Sequence, residues 1–196
     1  MSDQPGRADF SRLYRTILDE LGTGRYRAGQ RLGVKEMADR LRVSPTPIRE
    51  LMSRLVGRGV IEERRSEGYY LARLEVRDIA DLYRLHGQCT DLAIRELPWP
   101  PVLPETMPQD GWSIISCLVD QTGNIILRDA RAYLGDRLRV IRHFEDLAIA
   151  GTVAESRDLA RLCTAPERAV LRRAIARFYK RRIAAAPDLA LLLGRA

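Results

Sequence analysis

The chain has 196 residues, 45% of them apolar and 30% charged, enough to bury a sizeable core while staying in solution. Its net charge of +7 is uneven: residues 1–73 hold 15 Arg/Lys against 10 Asp/Glu, and residues 74–196 hold 18 against 16. No apolar run nears the ~20 residues of a membrane span, and three scattered cysteines (Cys89, Cys117, Cys163) argue against a disulfide framework. Met1–Phe10 lacks the apolar stretch of a signal peptide, so a cytoplasmic location is expected. The basic excess on the smaller piece suggests a polyanionic partner.

In chain order, Leu13, Ile17, Leu18 and Leu21 recur at helical spacing from about Ala8, and Gly22 and Gly24 stop the pattern. A turn-rich connector, "GRYRAGQRL", leads to a short helix predicted over Val34–Leu41, and "RVS" makes a tight turn. The stretch "VSPTPIRELMSRL" then places two prolines at the head of a helix running to about Arg58. Ser44 suits the N-cap, where its hydroxyl can accept a bond from a free amide one turn in. Pro45 falls at the first helical position and Pro47 within the first turn, where no N–H needs an intrahelical partner.

Helix, tight turn, helix is the helix-turn-helix order, in which the second helix meets base edges with its N-terminal residues. Thr46 and Arg49 lie three apart there, on the side away from the stripe Ile48, Leu51, Met52, Leu55, and Arg54, also largely off that stripe, is a further candidate DNA contact. Arg can grip guanine O6 and N7 together, and Thr can meet a thymine methyl. "GVIEERRSEGYYLARL" reads as two strands, Val60–Glu63 and Tyr69–Arg73, with a basic tip. A hairpin after three helices makes a winged helix, and Arg64 and Arg65 in the wing suit the DNA backbone or minor groove.

The stretch "AGQRLGVKEMADRLRVSPTPIRELMSRLVGRGVIEERRSEGYYL" resembles the winged-helix domain of GntR-type bacterial transcription regulators. Gly29, Leu32, Ser44, Thr46, Pro47, Ile48, Arg49, Glu50, Leu55, Gly59, Val60 and Gly68 match that pattern. The resemblance implies double-stranded DNA as partner. It puts Lys35, Ser44, Thr46 and Arg49 at DNA-contacting positions and Arg65, Ser66 and Gly68 at the wing tip.

Residues 74–196 read as a helical bundle, with no strand pattern. "LEVRDIADLYRLHGQCTDLAIREL" is one long amphipathic helix, with His86 on its apolar side. "PWPPVLPETMP" (98–108) holds five of the ten prolines and reads as a stiff, extended connector. Helices are predicted over Gly111–Gln121, Asn124–Ala150, Ser156–Cys163 and Pro166–Ala186, followed by a leucine-rich tail, Leu189–Leu193. The fold class is therefore mainly α: a winged helix-turn-helix over 1–73, then an all-α effector-binding and dimerisation domain over 74–196.

That order resembles the FadR-like subfamily, with a divergent, shortened C-terminal domain. The resemblance implies a homodimer on a two-fold operator. Many such bundles hold a divalent metal with one Asp and three His, and the metal grips an effector carboxylate. This chain has two His, His86 and His143. Counted from Asn124, the ligand positions fall near Gly111, Ile115, Ser156 and Phe178, so no metal and no cofactor are expected. If an effector exists, His86, Ile115 and Phe178 would line its pocket, and it would be small and relatively apolar. Without one, side chains would fill the cavity. The basic run "RRAIARFYKRR" (172–182) reads as a solvated face, or more sharply as a surface for an acidic partner. No phosphate loop, HExxH or Gly-x-Ser-x-Gly appears, so no enzyme is expected. The rival reading is a winged-helix adaptor that binds protein without DNA specificity.

Overall fold

In the computed structural model, which describes residues 5–195, helices and one small sheet follow the order α1 (Pro5–Leu21), β1 (Arg31–Leu32), α2 (Val34–Leu41), α3 (Pro45–Gly57), β2 (Ile61–Arg64), β3 (Gly68–Leu71). Beyond these come α4 (Val76–Glu96), α5 (Gly111–Val119), α6 (Ile125–Arg142), α7 (Glu145–Ala148), α8 (Thr152–Leu162), α9 (Arg168–Ala184) and α10 (Ala186–Arg195). Two units emerge. The first comprises the chain up to Glu75, with Asp136–Phe144 and the residues from Ala190 on; the second comprises Val76–Gly135 and Glu145–Leu189. The first unit thus takes in chain segments remote in sequence.

In the first unit, Ile17, Leu18 and Leu21 of α1 are buried, as are Met37 and Ala38 of α2 and Ile48, Leu51, Met52 and Leu55 of α3. α2 ends on Arg42 in the left-handed region (φ 55), and the amide of Val43 returns to the Ala38 carbonyl at 3.0 Å. That closes the helix and turns the chain sharply into α3. Ser44 occupies the N-cap position of α3 with extended backbone, yet its side chain makes no capping bond, contrary to the expected hydroxyl cap. With prolines at the start, fewer free amides need a cap. The end of α6 packs on α1: the Tyr14 hydroxyl donates to Asp136 at 2.7 Å and Arg139 Nε donates to Asp19 at 2.7 Å. A Cβ at Gly22 would lie 2.9 Å from the Arg139 carbonyl oxygen, so only glycine allows that approach.

The sheet is antiparallel in the order β1-β3-β2, with Ile61 opposite Leu71, Arg64 opposite Gly68 and Arg31 opposite Tyr70. The strand β1 is absent from the sequence reading. Two residues offer no periodicity, and only their pairing to β3 defines them as a strand.

In the second unit α4 packs along α9 so closely that a Cβ at Gly87 would meet the Tyr179 ring at 2.8 Å. Asp110 caps α5 by accepting the Ser113 amide at 2.9 Å. The helix expected over Asn124–Ala150 is broken: α6 ends at Arg142, and α7 restarts at the buried Glu145. No glycine or proline marks that break. The proline-rich 98–108 segment has neither helix nor strand and is tied by Gln121, whose side chain exchanges bonds of 3.0 and 2.8 Å with the Val102 backbone. No helix among the described residues is long and apolar enough to cross a membrane.

Candidate nucleic-acid interface

α3 buries one face and leaves the other bare. Thr46 and Arg49 are both exposed in its first turns, with Ser44 exposed just before them and Lys35 exposed on the first turn of α2. Among the described residues, Arg49 and Lys35 have no ion-pair partner, so their charges are available to an outside group. Arg54 is placed differently. At ~100° per residue it sits about 140° around α3 from Arg49. Its guanidinium lies 4.9 Å from the Tyr14 ring centre and 5.9 Å from that of Phe10, stacked on α1.

The wing carries Arg65 and Ser66 exposed at its tip, with Gly68 at its far base. Ser66 (φ 64) and Gly68 (φ 104) both take the left-handed region, which a two-strand turn of this length needs. The Glu67 amide closes the turn onto the Arg64 carbonyl at 3.0 Å. Arg64 folds back over the Tyr70 ring, 4.0 Å from its centre, leaving Arg65 as the outward cation. Arg31 of β1 is exposed beside the wing, 3.7 Å from where a Cβ at Gly68 would stand. The sequence reading missed it along with β1. The dipeptide "RL" carries no signal of it, because only the pairing to β3 sets Arg31 beside the wing.

In the second unit the registered positions meet. The Gly111 amide donates to Ser156 Oγ at 2.9 Å, and a Cβ at Gly111 would lie 2.7 Å from the Phe178 ring. Ile115, one turn further along α5, is fully buried. Glycine, isoleucine, serine and phenylalanine offer no imidazole or carboxylate, and the Phe178 ring fills the space beside Gly111. These residues do not fit a divalent metal. Among the described residues no group of three or more His, Cys, Asp or Glu could hold one.

The interior here is polar and internally paired. Glu145, 3% exposed, accepts from Tyr83 Oη (2.8 Å), Trp112 Nε1 (2.9 Å) and Arg182 Nε (2.8 Å). Arg182 also reaches Glu155 at 2.8 Å, and its guanidinium sits 3.2 Å over the Phe178 ring. So Arg182, read from the sequence as part of a solvated basic face, is buried instead. The helical spacing that put Phe178 inside also puts residue 182 inside, four positions on. His86 Nδ1 bonds Tyr179 Oη at 2.7 Å, Thr90 bonds the same hydroxyl at 2.9 Å, and buried Arg131 donates to Thr90 at 3.1 Å. Of the residues expected around an effector, His86 and Phe178 belong to this packed, hydrogen-bonded layer. Arg131 of α6, Glu145 of α7, and Tyr179 and Arg182 of α9 complete it, and a charged residue on an apolar helix face is a weak signal for such a role.

Residues 10–71 match the model of the bacterial regulatory proteins of the gntR family. The N-terminal module is a GntR-family winged helix. The Nta operon transcriptional regulator of Aminobacter aminovorans is 34% identical over 70 residues, which is 36% of this chain and 33% of that protein. An uncharacterized HTH-type transcriptional regulator of Mycobacterium tuberculosis is 34% identical over 77 residues, 39% of this chain and 32% of that protein. The matched part thus spans about a third of these relatives. Among solved structures, E. coli McbR/YncC has a TM-score of 0.67 at 19% identity, covering 91% of this chain and 97% of that one. A GntR-regulator candidate from Rhodococcus sp. RHA1 has a TM-score of 0.67 at 14% identity, covering 96% and 99%. At such identities the likeness is one of fold: a GntR winged helix joined to a helical C-terminal region.

Proposed function

We propose that this chain is a sequence-specific, DNA-binding transcription regulator that acts in the cytoplasm as a homodimer on a two-fold operator, with no catalytic activity. The observation that carries it is the paired exposure of Thr46 and Arg49 at the head of α3, inside the segment that matches the gntR family. Thr46 and Arg49 read base edges, Lys35 and Ser44 contact the flanking backbone, and Arg65, Ser66 and Gly68 carry the wing along phosphate or minor groove. Arg31 adds a phosphate contact beside the wing. Arg54 supports α3 by stacking and touches DNA only at the margin.

The C-terminal domain, residues 74–196, is of the FadR-like type without its metal. The internal Glu145–Arg182 pair and the Phe178 ring supply the cohesion there, so DNA binding is indifferent to divalent metals and small carboxylic acids. Any ligand that does bind near His86, Ile115 and Phe178 is small and apolar. A protein-binding adaptor is less well supported, because the exposed face of α3 offers a hydroxyl and a guanidinium rather than an apolar or acidic surface.

Selection on random duplexes tests the reading. Enrichment of an inverted repeat with half-sites about one helical turn, ~10 bp, or a multiple apart is expected. Recovery of no preferred sequence at moderate salt would overturn it.

A further inference from the structure

The outer face of α4 is exposed along its length and carries Leu85 (49% exposed) and Leu92 (45%), one on each side of exposed Gln88. Asp81, Arg84, Asp91 and Arg95 share that face: at ~100° per residue all seven side chains fall within an arc of about 120°. Beside it runs an apolar groove of about 460 Å³ floored by Ile175, Ala176, Tyr179 and Ile183 of α9. The face balances two acids with two arginines in a chain of net charge +7.

Its order is self-complementary. Set two copies of α4 antiparallel about a two-fold axis at Gln88. Residues at nearly equal distances on opposite sides of Gln88 then oppose each other, and each side of the seam meets the same side of its partner. Leu85 comes against the partner's Leu92 on one side, and Arg84 against the partner's Asp91 on the other. Asp81 faces the partner's Arg95 at both ends, and Gln88 faces itself. In a parallel pairing Asp81 would face Asp81 and Arg95 would face Arg95, while Arg84 and Asp91 would fall against leucines.

We propose that this α4 face, with the adjoining α9 groove, is the docking surface for a second copy of this chain, in antiparallel register about Gln88. This rests on the proposed dimer and gives it a geometry. Within one chain Asp91 already accepts from Arg172 at 2.7 Å and from Arg95 at 2.8 Å, which holds its carboxylate on the surface. Burying the leucines at the seam removes apolar surface from water, and the charge pairs set the register.

The test uses the full-length chain, with sedimentation velocity as the readout and circular dichroism as the fold control. Leu85→Asp should raise the dimer dissociation constant at least ten-fold. Asp81→Arg and Arg95→Asp should each self-associate at least ten-fold more weakly than wild type. Mixed together, these two variants should form a heterodimer: one chain then carries arginine at both positions and the other aspartate at both, so both contacts between positions 81 and 95 join opposite charges. Both positions are exposed, so folding is retained even if Leu85→Asp proves unstable. A wild-type monomer at tens of micromolar would overturn both the dimer and this face. A wild-type dimer that all three variants leave intact would overturn the face alone. A mixture that stays monomeric while each variant is weakened would overturn the antiparallel register.

Discussion

Arg182→Ala should be among the most damaging single changes in the second unit. The guanidinium is 3% exposed and bonds Glu145 at 2.8 Å, Glu155 at 2.8 Å and the Phe178 carbonyl at 3.0 Å. Removing one partner of a buried pair strands the other charge, which costs ~3–5 kcal/mol. Glu145 keeps the Tyr83 and Trp112 donors, so the lower end, about 3 kcal/mol, is expected. In a chain of this size each kcal/mol shifts Tm by ~2–4 °C, so a fall of roughly 6–12 °C follows. Trp99 and Trp112, the two tryptophans, both lie in this unit, so urea unfolding followed by their fluorescence reads the right transition. Adding Glu145→Gln to the variant should recover ~1 kcal/mol or more by removing the stranded charge. Lys180→Ala, on the exposed side of α9, should stay within ~0.5 kcal/mol of wild type. A loss below ~1 kcal/mol for Arg182→Ala would refute the reasoning, since it would mean that the pair is solvated.

Gly111→Ala should destabilise by ~1–3 kcal/mol in the same urea assay, because the new methyl would press on Phe178 at 2.7 Å and Leu159 at 3.3 Å; unchanged stability would show a looser layer. Dialysis against EDTA should leave Tm and operator affinity unchanged; stoichiometric zinc, nickel or manganese whose removal alters DNA binding would contradict the metal-free reading. Burial, with Cys117 nearby, pushes the Cys163 thiol up to about 11 from an ordinary 9.0. The folded chain therefore holds that proton more tightly, and stability should fall as pH rises from about 9 toward 11, a slope that Cys163→Ala flattens. At pH 8 a thiol reagent should label half-exposed Cys117 well before Cys163, and equal rates would sink the claim.

The N-terminal module was legible because its signals are local. Two prolines and Ser44 mark a helix start, apolar spacing assigns the inner face of α3, and Gly68 marks the wing. Even there, the sequence did not reveal that Ser44 makes no capping bond or that Arg54 turns onto Tyr14, since both depend on what α1 places nearby. The C-terminal half was legible as helices and much less as a site. The break at residues 143–144 leaves the apolar period intact, so α6 and α7 read as one helix. The inward turn of Glu145 and Arg182 depends on partners 37 residues apart, and neither residue type favours burial alone. Counting from Asn124 did register Gly111, Ser156 and Phe178, which the fold brings together, because helices of fixed rise preserve spacing.

The most direct measurement of the central claim, that the head of α3 reads DNA sequence, compares wild type with Arg49→Ala on the selected operator and on random duplex at one fixed salt concentration. Loss of a bidentate base contact should weaken operator binding by ~1–3 kcal/mol, roughly 5- to 150-fold, with a much smaller change on random DNA. Equal weakening on both duplexes would contradict the claim, because it would make Arg49 a phosphate contact and leave the exposed face of α3 without a reading role.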